Sequence, residues 1–381
     1  LDASGGSGGN ISVRSSGVVN ANGLMTSAGL NGSGGRVNLS GANGVNIGST
    51  GGLSSSGATT GGFVGTRSTD GNVSIAGAIS SDGAGVAGGM IKSTGIEVSI
   101  GETAVISADG NSSGGRIFLG GGFQGGDPSM RNALRTTVVS GAHISSDAGG
   151  TGGRGGLAVV WSDEDTLFDG DVSAIGGIGG RGGSVEISGK DSLGFNGMVD
   201  VTAQNGLAGI VLFDPTNVRI QAGGAAPNID NVALSNLLDA GNNVVISTNI
   251  GGGDAGHIAV INPVEWYQDT AGTIGGTLTL LAQGNVTIRD DVRSAGSGGI
   301  NIAAGWDGST GIVSPLSGTA TLNSGAAPGF SFNFQDVLDT MNDGNAGNDA
   351  AGLGDGSVYI GNFNANGGGG NNNITTGIEV G

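Results

Sequence analysis

The chain has no cysteine, so neither a disulfide framework nor a thiolate metal centre is available to it. It has 6 prolines in 381 residues. A collagen helix, which needs abundant proline and glycine at every third place, is thereby excluded. Aromatic residues make up 4%, and the apolar residues are mostly Val, Ile, Leu and Ala. That composition points to a thin core of stacked aliphatics rather than a thick globular one. Positive charge is scarce: Lys+Arg is 13 against 31 Asp+Glu, a formal net charge of -18. A surface this anionic repels phosphate and argues against nucleic acid as a partner. No stretch approaches the ~18 apolar residues of a membrane-spanning helix.

What the chain has instead is glycine, 86 residues of it. Glycine-rich polar sequence is often disordered. Here, however, short β-branched runs recur between the glycines and alternate: Ile11-Ser12-Val13, Val37-Asn38-Leu39, Val73-Ser74-Ile75, Ile117-Phe118-Leu119 and Val185-Glu186-Ile187. Apolar residues at i and i+2 are the period of a strand with one buried face. With Leu1 at its start and an apolar alternation running up to Gly381, the sequence reads as a mature or excised piece of something longer.

The alternations repeat. A glycine pair, or glycine with a small residue, precedes them, and its last member falls at Gly9, Gly35, Gly89, Gly115, Gly156, Gly183 and Gly209. Three of those steps are 26 residues, one is 27 and one is 41. A second element recurs within the period: Ile79-Ser80-Ser81-Asp82-Gly83, Ile106-Ser107-Ala108-Asp109-Gly110 and Ile144-Ser145-Ser146-Asp147. Its Ile and small residue point inward, its first Ser points outward, and Asp-Gly turns the chain. Two short strands per period cannot bury a face alone, but stacked copies can. The expected fold is all-β, a right-handed parallel β-helix. Spacings of roughly 20 to 26 residues predict about 15 to 19 coils and a rod of roughly 70–90 Å at ~4.8 Å per coil.

The pattern divides the chain in two. Residues 1–220 carry the ~26-residue glycine-rich coils. Residues 221–381 continue the β-helix in a more acidic form, with excursions near 228–238 and 334–356. Asn228 to Leu238 and Phe334 to Met341 have helix-like apolar spacing.

Four segments in the middle carry a family likeness: GGRIFLGGGFQGG (114–126), AVVWSDEDTLFDGDVSA (158–174), SVEISGKDSLGFNG (184–197) and VLFDPTNVRI (211–220). In this order they resemble the filamentous-hemagglutinin-like exoproteins of Gram-negative bacteria. The resemblance spans about 107 residues and is compositional elsewhere. It implies a right-handed β-helix. It also implies two-partner secretion through a dedicated outer-membrane β-barrel transporter, and a role as a secreted or cell-surface adhesin or structural fibre. The family's amino-terminal secretion domain is not recognisable, since Asn262-Pro263 is a lone dipeptide, so the chain corresponds to shaft or distal passenger.

Candidate chemistry is sparse. Asp163-Glu164-Asp165 with Asp169 and Asp171 has the residues of a glycosidase pair or a cation site, but reads as a solvated turn. Asp290 and Asp291 are adjacent and point to opposite faces of a strand. The loop with Asp343, Asp349 and Asp355 offers oxygen ligands to Ca2+, without EF-hand or nonapeptide spacing. His143 and His257 lie far apart in sequence. Arg36, Arg116, Arg154 and Arg181 follow glycines at corners, and in register would form a basic stripe for acidic sugars. Phe118, Phe123, Trp161, Trp266, Tyr267 and Trp306 are the candidate glycan contacts, because rings stack on sugar faces; the alternative is that they plug wide coils. Phe118 is expected to face outward. No residue is assigned a catalytic role. The expected function is a non-enzymatic adhesive or structural shaft contacting host or bacterial surface glycans or proteins through many weak sites. The alternatives are a β-helical polysaccharide-degrading enzyme and a self-associating extracellular filament subunit.

Overall fold

The structure is a computed structural model that describes residues 1–248, 256–267, 275–284, 286–295 and 298–304, together with the strands Leu322–Asn323, Val358–Ile360 and Ile378–Val380. The chain winds into a parallel β-solenoid of about ten turns. Two sheets of 12 strands run along the winding, one of 7 accompanies them as far as Met198–Asp200, and a further sheet of 3 follows. Each early turn contributes one strand to each of three faces. Asn10–Ser15, Val18–Ala21 and Leu24–Thr26 make the first turn, and Arg36–Gly41, Gly44–Ile47 and Gly52–Ser54 the second. The expectation of two strands per turn is thus corrected to three. The expected 15 to 19 turns are corrected as well, and ten turns at ~4.8 Å give a rod of roughly 50 Å. Turns are longer than anticipated because several carry insertions. The register step grows from 26 at Asn10↔Arg36 to 41 at Arg116↔Leu157 and 33 at Ile210↔Asn243.

The core is a set of columns, each a position repeated turn after turn. On the first face Ile11, Val37, Val64, Ile91 and Ile117 are aligned by strand pairing and buried. Leu53, Ile79, Ile106, Ile144, Val172 and Val199 do the same on the third. Aromatics enter the core as a stack in the middle: Phe168 on Phe195 at 5.8 Å, and Phe195 on Phe213 at 4.8 Å.

The glycine pairs mark the corner from the third face to the first. A Cβ on Gly34, Gly61, Gly88 or Gly114 would lie 1.7 to 1.9 Å from the carbonyl oxygen of Ser55, Ser81, Ala108 or Ser146 in the next turn. Backbone meets backbone there, and only hydrogen fits between. Beside this corner runs an aspartate ladder. Asp82 accepts from the Asp109 amide and the Ser107 hydroxyl at 2.9 and 3.0 Å. Asp109 accepts from the Asp147 amide and Ser145 at 2.7 and 2.9 Å, and Asp147 from the Ile175 amide and Ser173 at 2.7 and 2.9 Å. Each carboxylate therefore clamps the following turn, and Ser81, Ala108 and Ser146 beside it point into the core.

The third face ends at Met198–Asp200. The side-chain amide of Asn242 takes the place of a next strand there, accepting from the Val201 amide at 2.7 Å and donating to the Val199 carbonyl at 3.2 Å. The helix Asn231–Asp239 covers this edge, burying Leu234, Leu237 and Leu238. It fulfils the helical expectation for 228–238, but its cap is Asp230, whose carboxylate accepts from the Val232 and Ala233 amides, rather than Asn228. The excursion expected over 334–356 lies outside the described residues.

Candidate functional site

The largest insertion of the first half, residues 120–134, leaves the solenoid after Arg116–Leu119 and lies along the outer surface of the first face. It behaves as a strap, pinned to turns on both sides of its own. A one-turn 3-10 segment, Phe123–Gly125, forms its middle. Gly120, Gln124 and Gly125 there have φ of 85°, 50° and 62°. The strap lies flat on the Trp161 indole, where a Cβ at Gly121 or Gly125 would come within 2.4 or 2.7 Å of the ring.

At one end the strap holds two carboxylates from later turns. The Gln124 amide donates to Glu186 Oε1 and Oε2 at 3.1 and 2.9 Å, and Gln124 Nε2 donates to Asp214 Oδ2 at 2.7 Å. The Asp214 amide donates to Ser188 Oγ at 3.0 Å. Glu186 and Asp214 are fully buried. Burial pushes the Glu186 carboxyl up to about 8, with the nearby Asp214 charge adding to the rise and the Gln124 bond opposing it. Burial raises Asp214 as well. Glu186 therefore carries a proton at neutral pH. Asn132 Nδ2 and Trp161 Nε1 both donate to Asp163 Oδ1, at 2.9 and 3.1 Å, which ties the strap to the turn below.

At the other end the strap reaches back. Arg131 donates to the Thr69 carbonyl, and Lys92 Nζ pairs with Asp127 at 3.2 Å. Asp127 also accepts from the Ser129 amide and hydroxyl, and these bonds hold its carboxyl below the usual range. Here the strap forms the wall of a groove of about 830 Å³ whose floor is the outer surface of the first four turns. Arg14, Arg36, Arg67, Lys92 and Arg131 line it, Lys92 being the one paired with Asp127, and among the described residues no carboxylate lines it. The Arg36 guanidinium sits 3.9 Å over the Phe63 ring, which lies beside Gly65.

The sequence-derived candidates are dispersed. Phe118 faces outward as expected, half-buried, with Lys92 Nζ 5.4 Å from its ring centre. Trp161 and Trp266 are each 1% exposed. Neither offers a ring face to a sugar in this structure: the strap covers Trp161 on the outer side of the first face, and Trp266 packs within the apolar core. Phe123 is half-buried in the strap. The side chain of Tyr267, and Trp306, Asp343, Asp349 and Asp355 entirely, lie outside the described residues. Among the described residues no group of three His, Asp or Glu is placed to hold a metal ion.

Glu164 and Asp165 turn outward to Arg135, at 3.2 Å each, with Glu97 joining at 3.6 Å. That cluster is a surface ion-pair network. His143 pairs with Asp171 at 3.1 Å on the third face, whereas the His257 amide donates to Asn217 beside the second. The arginine stripe splits: Arg36 and Arg116 share a column on the first face, while Arg154 and Arg181 bridge at a corner. Arg14, Arg67, Lys92 and Arg131, and the Gln124–Glu186–Asp214 cluster, were not singled out from sequence. A signal existed for both. Arg14 and Arg67 occupy the same strand position two turns apart, and the unbroken run Val159-Val160-Trp161 marks a strand covered on both sides.

No protein-family model matches the chain, and no curated protein matches it either. Fold and site together define a class on their own terms: a parallel β-solenoid with a strapped outer face that carries a basic groove.

Proposed function

We propose that this chain is a non-enzymatic adhesive or structural shaft, an exported β-solenoid of the filamentous-hemagglutinin kind. It reaches the cell surface or medium by two-partner secretion through an outer-membrane transporter, and binds surface glycans or proteins. The observation that carries the binding role is the groove over the first four turns, open to solvent and lined by five cations on a chain of net charge -18. Strand pairing fixes its floor rigidly, which suits repeated shallow contacts. Against the enzymatic alternative stands the position of Glu186 and Asp214: they lie sealed beneath the strap, where no substrate reaches them. The export route rests on the four motif segments alone.

Co-sedimentation of the folded 381-residue chain with bacterial cells, host cells and insoluble polysaccharides tests the reading. Saturable binding is expected. Absence of binding to every surface would replace it with a spacer or filament body.

A further inference from the structure

The groove's cations are arranged, not merely gathered. Five of the chain's 13 basic residues line it. Arg14, Arg36 and Arg67 are exposed and have no carboxylate within ion-pair distance among the described residues. Register places one cation on each of the first four turns. Arg14 pairs with Ser40, and Ser40 with Arg67, so these two arginines stand in one column two turns apart. Arg36 lies in the turn between them, in the column of Asn10 and Phe63. Lys92 follows in the fourth turn, in the central column of Asn38 and Gly65.

Two lengths follow. Adjacent turns are ~4.8 Å apart, close to the rise of one sugar in an extended 1,4-linked chain. The outer columns are four residues apart along a strand, ~13 Å, so a ribbon of sugars fits between them with side chains reaching inward. Along the rod the strand positions of Arg14, Arg36 and Arg67 alternate from one outer column to the other, and the Arg36 guanidinium is stacked over Phe63 of the next turn. A ribbon that turns each sugar over relative to the last presents its carboxylates with that alternation and rise. The floor between is Ser12, Asn38 and Gly65, with Ser40 between the two arginines of one outer column, small groups and hydrogen-bonding groups that suit hydroxyls. Arginine forks match carboxylates.

We propose that the groove binds an extended polyuronate, a linear 1,4-linked polysaccharide with one carboxylate per sugar, lying along the solenoid axis over the first four turns. This ligand assignment rests on the adhesive reading of the same groove.

Titration calorimetry of the full chain with uronate oligomers of two to ten sugars, at two salt concentrations, tests it. Affinity is expected to rise with length to about four sugars and then level, and to fall with salt. Arg14→Gln with Arg67→Gln is expected to weaken binding at least tenfold with melting unchanged. Arg154→Gln with Arg181→Gln removes the same charge at another corner and should leave binding intact. Equal loss in both double variants, or equal affinity for dextran sulfate and single-stranded DNA, would overturn the proposal in favour of general polyanion adsorption. No uronate binding while the chain still sediments with cells would overturn the polyuronate and leave the adhesive reading standing. Loss of both would sink the two together.

Discussion

The backbone amide of Gln124 donates to both carboxylate oxygens of Glu186, 62 residues further along the chain. Gln124 reaches Asp214 as well, 90 residues on. The segments around 114–126, 158–174, 184–197 and 211–220, recognisable together in the sequence, meet at this one place. Gln124, Trp161, Glu186 and Asp214 each come from a different one of them.

Glu186 makes stability pH-dependent between about pH 4.5 and 8. Its folded carboxyl titrates near 8 against a usual 4.5, so the folded state holds a proton that the unfolded state has released. Stability is then greatest below about 4.5 from this group and falls as pH rises toward 8. Calorimetric melting between pH 5 and 9 should show a Tm that declines to about pH 8 and then levels, and Glu186→Gln should flatten that decline. A slope unchanged by the substitution would place the titration elsewhere.

The aspartate ladder acts lower on the scale. Burial raises Asp147 to about 6 and raises Asp109 too. Both oppose ionisation in the folded state, so their contribution falls as pH climbs from about 4 to 6. Asp147→Ala, which strands the Ile175 amide, should cost about 1–3 kcal/mol. Hydrogen exchange should locate the loss at the corner after His143–Ser145. Uniform loosening of all faces would contradict a local clamp.

Glycine at the corner is a packing requirement. Gly88→Ala puts a methyl 1.9 Å from the Ala108 carbonyl, and backbone must move. A loss of about 1–3 kcal/mol or more is expected. Gly23→Ala, with open space at its Cβ, should change stability by about 0.5 kcal/mol or less. Chemical denaturation of the two variants decides, and equal effects would contradict the close-approach account.

The strap depends on lying flat against Trp161. Gly125→Val introduces a side chain within 2.7 Å of the indole at a φ of 62°. The strap should lift, and acrylamide should quench more of the tryptophan emission at unchanged far-ultraviolet circular dichroism. Quenching at the wild-type level would mean the indole is covered by something other than the strap.

Much of the fold is legible in the chain because a solenoid's contacts repeat with its sequence. Ile79, Ile106 and Ile144 mark one column, and the glycine pairs mark the corner where turns touch backbone to backbone. Turn count was less legible. The 41-residue step is visible in the sequence, but not that it is one turn with a strap. Alternation also misplaces the outer face: it sends Trp161 and Glu186 outward, and both are buried because a distant segment covers them.

The sequence by itself determined the stacking, since period-2 alternation and a 26-residue spacing are local and additive along the chain. Only the tertiary structure decided which outward positions meet solvent. Arg14, Arg36, Arg67 and Lys92 on four turns face an open groove, whereas Glu186 two turns beyond Phe118 in the same column as Lys92 is sealed. The physical reason is the strap: it bonds Thr69 behind it and Asp214 ahead of it, and such contacts follow from folded register, not from neighbours in sequence.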